Sequence, residues 1–266
     1  MKHTFVILAY KKSPYIEECI KSITSQSVKS NCIISTSTPS KFLLEIAHKY
    51  KIRIKVNKES NGIADDWTFG YNVAKTDYVT LAHQDDIYLP RYLEECLTSA
   101  QKYPENLIVF TDYTEIRKEE IKNNLNLLVK RIMLRLLMLG KSSINSSFTK
   151  KVLISFGSPI CCPSVMYHKN KIGKLKFGNS FQINMDWKAW YDFTYKTGDF
   201  VYISKALVKH RIHKKSQTFS GILVDKRQQE DLRMFSKLWP KPIARIIYNI
   251  YKLSYKSNTN SSPGKN

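Results

Sequence analysis

The chain has 266 residues, 42% of them hydrophobic and 12% aromatic, which is enough to bury the core of one α/β domain of ordinary size. Its 43 lysines and arginines against 22 acidic residues give a formal net charge of +21, which favours polyanionic partners such as nucleic acid, anionic lipid or phosphorylated substrates. No apolar run reaches the roughly 18–20 residues that cross a bilayer, and the five cysteines have neither disulfide-framework nor zinc spacing.

Strands and helices alternate along the first third of the sequence. Apolar runs rich in β-forming residues predict four strands, at 4–10, 31–37, 52–57 and 77–83. Apolar residues at helical spacing predict three helices between them, at 11–27, 39–51 and 62–75. The first helix is predicted to begin with Ser13 as its N-cap and Pro14 at its first position. This alternation predicts a mostly parallel, Rossmann-like sheet with helices on both faces.

Two adjacent carboxylates follow the fourth predicted strand, in the segment HQDD at residues 83–86. In open parallel sheets, ligands bind beyond the carboxyl ends of the strands. Asp85 and Asp86 at such an end form a hard-oxygen site suited to Mg²⁺ or Mn²⁺ carrying a diphosphate, and the cation would remove their mutual repulsion. The alternative use of such a pair is to start a loop and cap the next helix.

The rest of the chain is predicted to add a helix at 90–103 and a strand at 106–113. Further on, a helix at 181–196 and a strand at 200–213 are predicted, and two basic amphipathic stretches stand apart, at 118–141 and 238–257. The predicted organisation is a domain over 1–220 with a basic helical insertion at 118–150, a basic helical extension at 221–256 and a disordered tail at 257–266.

Two further elements carry candidate chemistry. Asp186, at the start of an aromatic helix, is either a helix N-terminal acid or a carboxylate general base. His213 is either a structural histidine or a nitrogen ligand for a metal held mainly by carboxylate. Neither GxGxxG nor GxxxxGK[ST] is present, so neither a dinucleotide fingerprint nor a P-loop is indicated.

Four segments in the right order resemble glycosyltransferase family 2, of the GT-A fold and the bacterial surface-glycan type. They are FVILAYKKSPYIEECIKSITSQS from residue 5, the stretch from Asn61 ending in HQDD, PSVMY with MDWKAWYDF, and HRIHKKSQT from residue 210. The resemblance covers roughly residues 3–220.

The resemblance implies a role for each matching residue. His83-Gln84-Asp85 stands at the D-x-D triplet, so that Asp85 would bind Mn²⁺ or Mg²⁺ with His213 as a further ligand. Asp86 would support that loop or contact the sugar, Arg211 would lie near the phosphates, and Asp186 would deprotonate the acceptor hydroxyl. Ala9 and Tyr10 fall at the pocket for the donor base.

The sequence departs from the family pattern at two places. His83 replaces the first carboxylate of the D-x-D triplet. The second strand ends in Ser35 and Thr36, where the family usually has an aspartate that binds uracil. Hydroxyl groups of residues 35–38 are therefore predicted to contact the base, with Asp65 or Asp66 compensating for the missing carboxylate.

The predicted function is transfer of a sugar from a nucleotide-diphosphate sugar, predicted to be a UDP-sugar, to a glycan or lipid-linked acceptor. The reaction is predicted to be metal-dependent and inverting, and to serve cell-surface polysaccharide synthesis, of lipopolysaccharide or capsule. A nucleotidyltransferase of related topology and a basic nucleic-acid-binding protein are the alternatives. The first lacks a Gly-rich first turn, and the second rests on charge alone.

A peripheral location at the cytoplasmic face of the plasma membrane is predicted from the two basic stretches, taken as 121–139 and 239–256. Four aromatic residues of the second stretch are predicted to lie among lipid headgroups: Trp239, Tyr248, Tyr251 and Tyr255. The odd number of cysteines and a start without a signal peptide lead us to expect a reducing compartment.

Overall fold

A computed structural model of the chain describes residues 1–117, 120–122, 125–178, 180–213 and 224–259. Its strands are β1 (His3–Ala9), β2 (Asn31–Thr36), β3 (Arg53–Val56), β4 (Tyr78–His83), β5 (Ile87–Tyr88), β6 (Asn106–Arg117), β7 (Glu120–Lys122), β8 (Ser143–Ile144), β9 (Val165–His168) and β10 (Asp199–Ile212). Its α-helices are α1 (Ile16–Thr24), α2 (Lys41–Lys49), α3 (Ile63–Val73), α4 (Tyr92–Lys102), α5 (Leu125–Leu137), α6 (Ser147–Leu153), α7 (Lys169–Ile172), α8 (Met185–Phe193), α9 (Val224–Leu238) and α10 (Lys241–Thr259).

The described strands form one mixed sheet in the order β3-β2-β1-β4-β9-β6-β10-β5, with β7 paired to β6 and β8 to β10. Strands β3, β2, β1 and β4 are parallel to one another. Strand β9 is antiparallel to both of its neighbours, β4 and β6, and β10 is parallel to β6. Six strands are therefore parallel to one another and have their carboxyl ends at the same edge of the sheet: β1, β2, β3, β4, β6 and β10. The predicted mostly parallel sheet flanked by helices is confirmed.

Alternate residues of each strand enter two hydrophobic clusters, one on each face of the sheet. On β1, Phe5 and Ile7 belong to one cluster and Val6 belongs to the other. The cluster that contains Val6 also includes residues of the C-terminal helices, Met234 and Phe235 of α9 and Ala244 of α10. Trp187 and Trp190 of α8 are buried in the same cluster. Helices α9 and α10 therefore share the core of the sheet domain.

Two lysines close the carboxyl ends of helices. Lys150 of α6 is 1% exposed, and its Nζ donates to the carbonyl oxygens of Phe193, Lys196 and Gly198 at 3.5, 2.6 and 3.0 Å. Lys169 of α7 donates in the same manner to three carbonyls at the carboxyl end of α3: Tyr71, Asn72 and Ala74. Each ammonium satisfies carbonyls that have no partner within their own helix and faces the negative end of the helix dipole.

The predicted start of the first helix is wrong. Helix α1 begins at Ile16 rather than just after Ser13. The Ser13 hydroxyl accepts a hydrogen bond from the backbone N–H of Tyr15 at 3.2 Å, so it closes a turn before the helix instead of capping it.

The predicted basic helix at 118–141 is also wrong at its start. Strand β6 continues past residue 113 to Arg117, and β7 pairs back on it antiparallel, with Ile116 opposite Ile121. Helix α5 therefore begins only at Leu125. The pairing of two β-branched residues across the hairpin explains why the helical pattern did not extend to this segment.

Two other predicted boundaries change. The helix at 181–196 is confined to Met185–Phe193. Helix α10 continues to Thr259, so the start of the predicted disordered tail is helical, and the rest of that tail lies outside the described residues. The predicted domain boundary at 220 also lies outside them. Among the described helices, none combines the length and apolar character that crossing a bilayer requires.

We predict that Lys150→Met lowers the free energy of unfolding by about 2–3 kcal/mol, because it leaves buried carbonyl oxygens at the end of α8 without a donor. Chemical denaturation measured by far-UV circular dichroism tests this. Lys174→Met, at an exposed position, is the matched control and should leave the midpoint unchanged. Equal stabilities of Lys150→Met and the wild-type chain would contradict the capping role.

Candidate active site

The carboxyl ends of β4 and β10 meet at one edge of the sheet, although about 125 residues separate them in sequence. The Nε2 atom of His213 lies 2.7 Å from Oδ2 of Asp85, and Nδ1 of His210 lies 2.9 Å from Oδ1 of Asp86. The two-residue strand β5 follows the HQDD segment immediately and pairs antiparallel with β10. This pairing fixes the register that brings each aspartate to its own histidine.

The repulsion between the two adjacent carboxylates is relieved within the protein. Asp86 is fully buried, and its Oδ1 also accepts a hydrogen bond from the backbone N–H of Arg211 at 2.9 Å. Burial acts to raise the pKa of Asp85, but the hydrogen bond from His213 and the charges of nearby histidines outweigh it, and the pKa falls below its ordinary value. Burial acts to lower the pKa of His210, but the charge and hydrogen bond of Asp86 raise it to about 9.

Arg211 is held on three sides. Its side chain is nearly fully buried, its Nε donates to the backbone oxygen of Asp85 at 3.1 Å, and its Nη2 donates to Oε2 of Glu18 at 2.6 Å. The guanidinium also lies over the ring of Tyr15, 4.2 Å from its centroid. These contacts fix the planar group between α1 and the HQDD segment, so Arg211 is a rigid positive charge at the edge of the sheet.

His83 occupies the last position of β4, and its ring packs on Trp67 with centroids 4.9 Å apart. Its Nδ1 lies 3.8 Å from Oδ2 of Asp86, which is too long for a hydrogen bond. Burial lowers the pKa of His83. Its Nε2 and Oδ2 of Asp86 are buried atoms for which the described part of the chain provides no hydrogen-bond partner. Such atoms are available to a bound ligand.

The end of β1 is joined to the HQDD segment by Gln84. The backbone N–H of Tyr10 donates to Oε1 of Gln84 at 3.1 Å, and Nε2 of Gln84 donates to the carbonyl oxygen of Tyr10 at 3.0 Å. Ala9 is buried, whereas the ring of Tyr10 is 54% exposed. Of the two residues predicted for the base pocket, only Tyr10 therefore presents a side chain that a planar base could contact.

The hydroxyls predicted to contact the base are largely occupied. Ser35 and Thr36 are 3% and 1% exposed, and Oγ1 of Thr36 accepts a hydrogen bond from the backbone N–H of Thr38 at 3.0 Å. Ser35 lies beneath α3 where Gly70 permits close approach, because a Cβ on Gly70 would come within 3.5 Å of the serine oxygen. The structure therefore does not bring Ser35 and Thr36 together with the HQDD segment as exposed ligands.

Asp66 lies where the ends of β2 and β3 meet. Its Oδ2 accepts from Oγ of Ser37 at 2.6 Å, and its Oδ1 accepts from Nδ2 of Asn57 at 3.0 Å. Asp65 instead accepts from the backbone N–H of Asn61 at 3.0 Å, next to the start of α3. Asp66 is thus the carboxylate that stands at the end of β2, supplied by a helix rather than by the strand.

Asp186 lies in the first turn of α8 and is partly exposed. Its Oδ1 accepts from the backbone N–H of Trp187 at 2.7 Å. Burial raises its pKa above the ordinary carboxyl value, although the charges of Arg227 and His83 act in the opposite direction. A carboxylate with a raised pKa, close enough to His83 for their charges to interact, is suited to accepting a proton. Asp192, the other candidate on this helix, is paired with Lys188 at 2.6 Å in a solvent-exposed position.

The backbone segment directly before α8 is held in place by α9. Glu230 is buried, and its two carboxylate oxygens accept from the backbone N–H groups of Gln182, Ile183 and Asn184 at 2.8–2.9 Å. The buried Asp231 accepts from Nδ2 of Asn184 at 2.5 Å, and burial raises the pKa of Asp231 to about 6. Two adjacent acidic residues of α9 therefore hold the segment that leads into α8, the helix that carries Asp186.

Sequence reasoning missed these supporting residues. It assigned no role to His210, Gln84, Trp67 or Glu230. A signal existed for Glu230, since Glu230 and Asp231 are adjacent acids in a segment where cations predominate. No pattern in the sequence indicated the bond between Gln84 and Tyr10.

Asp85 and His213 carry two side chains at this edge that have the chemistry of ligands for a divalent cation. The described part of the chain contains no group of three or more His, Cys, Asp or Glu side chains that could hold a metal ion. Mg²⁺ and Mn²⁺ sites that act on nucleotides use one or two protein ligands and take the rest from phosphate oxygens and water. One carboxylate and one imidazole beside buried, unpartnered polar atoms agree with that pattern.

The mostly parallel sheet with helices on both faces is the fold of glycosyltransferases of the GT-A type. Solved structures agree in fold: S. aureus TarS 1-349 in complex with UDP-GlcNAc has a TM-score of 0.65 at 13% identity, covering 93% of this chain and 70% of that one. Mannosyltransferase PcManGT from Pyrobaculum calidifontis, in complex with GDP-Man and Mn²⁺, has a TM-score of 0.59 at 12% identity, covering 93% and 68%.

The chain belongs to glycosyl transferase family 2, because residues 4–172 match that family. A protein of Haemophilus influenzae described as an uncharacterized glycosyltransferase is 25% identical over 226 residues, which cover 78% of this chain and 64% of that relative. The chain therefore spans slightly less than two thirds of the relative's length. The segment that matches the family, residues 4–172, contains the HQDD residues but ends before Asp186 and β10.

We predict that His210→Gln reduces stability in a pH-dependent manner. The pKa of His210 is raised from 6.5 to about 9, so the stabilisation from its charged form is complete below pH 6.5 and is lost as pH rises through about 9. Urea denaturation of wild type and variant at a series of pH values, with EDTA present throughout, measures the difference. That difference should be largest at pH 6 and smaller at pH 9.5. His48→Gln, at an exposed site, is the control, and a pH-independent difference for His210→Gln would contradict the charged pair.

Proposed function

We propose that this chain transfers a sugar from a nucleotide-diphosphate sugar to a hydroxyl of a glycan or lipid-linked acceptor, with inversion at the anomeric carbon. The observation that carries the proposal is the meeting of β4 and β10, which assembles Asp85 with His213 and Asp86 with His210 at one edge of the sheet. Membership of glycosyl transferase family 2 supports this class of reaction over the nucleotidyltransferase and nucleic-acid-binding alternatives.

Some residues of the site act on the leaving diphosphate, and another acts on the acceptor hydroxyl. Asp85 and His213 would hold Mg²⁺ or Mn²⁺, and the bound cation would neutralise charge on the departing diphosphate. Arg211 places a fixed positive charge beside Asp85, which favours binding of phosphate oxygens at the same edge. Asp186 takes the proton of the acceptor hydroxyl as its oxygen forms a bond to the anomeric carbon. The bond from that carbon to the diphosphate breaks, and its electron pair leaves with the nucleoside diphosphate.

The base pocket lies in our proposal between Tyr10 and Asp66. Tyr10 presents an exposed ring at the end of β1, and Asp66 presents a carboxylate at the end of β2. A carboxylate there accepts the imino N–H of uracil, which supports a UDP-sugar as donor. TarS, whose structure holds UDP-GlcNAc, and PcManGT, whose structure holds GDP-Man, share the fold, so the fold alone is compatible with either nucleotide. A role in surface polysaccharide synthesis is part of the same proposal.

We predict that Asp85→Asn lowers transfer by at least about a hundredfold and that EDTA does the same to the wild-type chain, because the leaving diphosphate loses its main countercharge. Release of nucleoside diphosphate from a panel of nucleotide sugars, with and without added Mn²⁺, measures this and identifies the donor. Asp77→Asn, at the opposite end of β4, is the control and should retain activity. Undiminished activity in EDTA would rule out the metal role of Asp85 and His213 together.

We predict that Asp186→Asn removes turnover but leaves the affinity for the nucleotide sugar within about threefold of wild type, because the base acts on the acceptor. Since the pKa of Asp186 is raised, activity of the wild-type chain should fall on acidification at a higher pH than an ordinary carboxyl group would give. Calorimetric donor binding and initial rates across pH test both points. Asp192→Asn on the same helix is the control. If it abolishes turnover and Asp186→Asn does not, Asp192 is the base.

A further inference from the structure

The last helix, α10, has two apolar faces. On its inner face Ala244 is fully buried, and Ile247, Tyr248 and Tyr251 pack against the main core. On its outer face four large apolar side chains are exposed by 42%, 61%, 65% and 62%: Ile243, Ile246, Ile250 and Leu253. Their spacing of three, four and three residues places them in one stripe along the helix. An outer stripe of this kind is unusual, because solvent-facing helix positions are normally polar.

Helix α5 also has one buried apolar face and one exposed apolar face. Leu127 and Leu134 are buried, whereas the exposed large apolar side chains form a second group: Leu128, Val129, Ile132, Leu136 and, just past the helix, Leu139. Of the 17 exposed large apolar side chains in the described residues, eight therefore belong to α5 and α10, and Leu139 lies just past α5. Apolar side chains scattered singly on a surface are ordinary, but such a concentration on two helices indicates an interaction surface. Lys130 of α5 lies close enough to Tyr251 of α10 for its charge to act on the tyrosine hydroxyl.

The charges around these stripes are all positive. Lys241, Arg245 and Lys252 are exposed on α10, and Arg135 and Lys141 are exposed on or just after α5. The sequence contains no acidic residue in 125–141 or in 241–259. An apolar stripe flanked only by positively charged side chains complements a surface with an anionic outer layer and an apolar interior.

We propose that the outer faces of α10 and α5 dock on the surface of an anionic phospholipid membrane, with the isoleucine stripe inserted at the level of the acyl-chain boundary. A second copy of this chain fits less well, because a two-fold contact would bring the cations of α10 against each other with no acid to pair with them. Each lysine or arginine near an anionic leaflet contributes roughly 1 kcal/mol of attraction. This proposal does not depend on the proposed sugar-transfer chemistry.

The structure corrects the sequence-based version of this idea. Nε1 of Trp239 donates to the carbonyl oxygen of Ser155 at 2.7 Å, and the hydroxyl of Tyr248 donates to Oε1 of Gln228 at 3.1 Å. Tyr251 packs between Trp187 and Phe235. These three aromatic side chains are partly buried and help to pack α10 on the core, so they are not the main exposed apolar surface of this segment. Tyr255 lies beyond the side chains that the structure describes. The isoleucines take the role that the sequence gave to the aromatics.

Flotation of the full chain with vesicles tests the proposal. We expect the chain to float with vesicles of equal parts phosphatidylglycerol and phosphatidylcholine at low salt. Binding should fall strongly at about 1 M salt, where the Debye length is about 3 Å. Replacing Ile246 and Ile250 together by aspartate should lower the partition coefficient at least tenfold, because burying one isoleucine side chain already favours the apolar side by about tenfold or more. Leu44→Asp, which is 58% exposed on α2, is the control and should bind as wild type.

Three outcomes would overturn the proposal. They are no flotation at low salt, equal flotation with pure phosphatidylcholine vesicles, and unaltered binding of the double aspartate variant. Light scattering on the same proteins tests the second-copy alternative, and a dimer that the double variant abolishes would replace the membrane by a second chain. Both substituted positions are exposed, so the variants should keep the wild-type circular dichroism spectrum, and nucleoside diphosphate release from free nucleotide sugar should be unchanged.

Discussion

The placement of two adjacent carboxylates after β4, the partly exposed Asp85 and the fully buried Asp86, is the constraint on which the structure depends. An isolated ionised carboxylate in a protein interior is strongly unfavourable, and two in succession add mutual repulsion. Here β10 and the residue that follows it bring a histidine to each one, and a backbone N–H and the Arg211 guanidinium complete the arrangement. The antiparallel β9, the long β6–β10 pairing and the short β5 follow from this need, since together they align the end of β10 with the end of β4.

Helix α8 is the second half of the site, and it is held at both ends by side chains from elsewhere. Glu230 binds the backbone before its first turn, and Lys150 binds the carbonyls after its last turn. A charged side chain at each terminus matches the sign of the helix dipole there. Asp186 can therefore be partly buried without losing its position. Helix α9, which the sequence assigned to an extension, is needed to form the site.

The sequence was sufficient for the parallel sheet and for the residues at the strand ends, because strand periodicity and the position of HQDD after a buried run are local signals. It also indicated His213 and Arg211, although only the resemblance connected them with Asp85. It failed where the outcome depended on contacts between distant segments. The hairpin β6–β7 overrode a helical pattern, Ser35 was buried beneath α3, and Tyr248 and Tyr251 of α10 packed against the core. Which face of an amphipathic helix is covered is decided by its neighbours, and the isolated sequence does not contain that information.

The sequence separation between the two aspartates and their histidines affects how the chain can fold during its synthesis. Asp85 and Asp86 leave the ribosome more than 120 residues before the histidines that accompany them, as the separations of 124 and 128 in their hydrogen bonds record. At about 5–20 residues per second this interval lasts on the order of 10 s. During that time strands β1 to β4 are complete but their carboxyl edge carries two uncompensated charges, which opposes early collapse. We therefore expect the nascent N-terminal half to stay loosely ordered until β10 arrives, so that closure of the sheet, rather than its nucleation, is the committing step in folding.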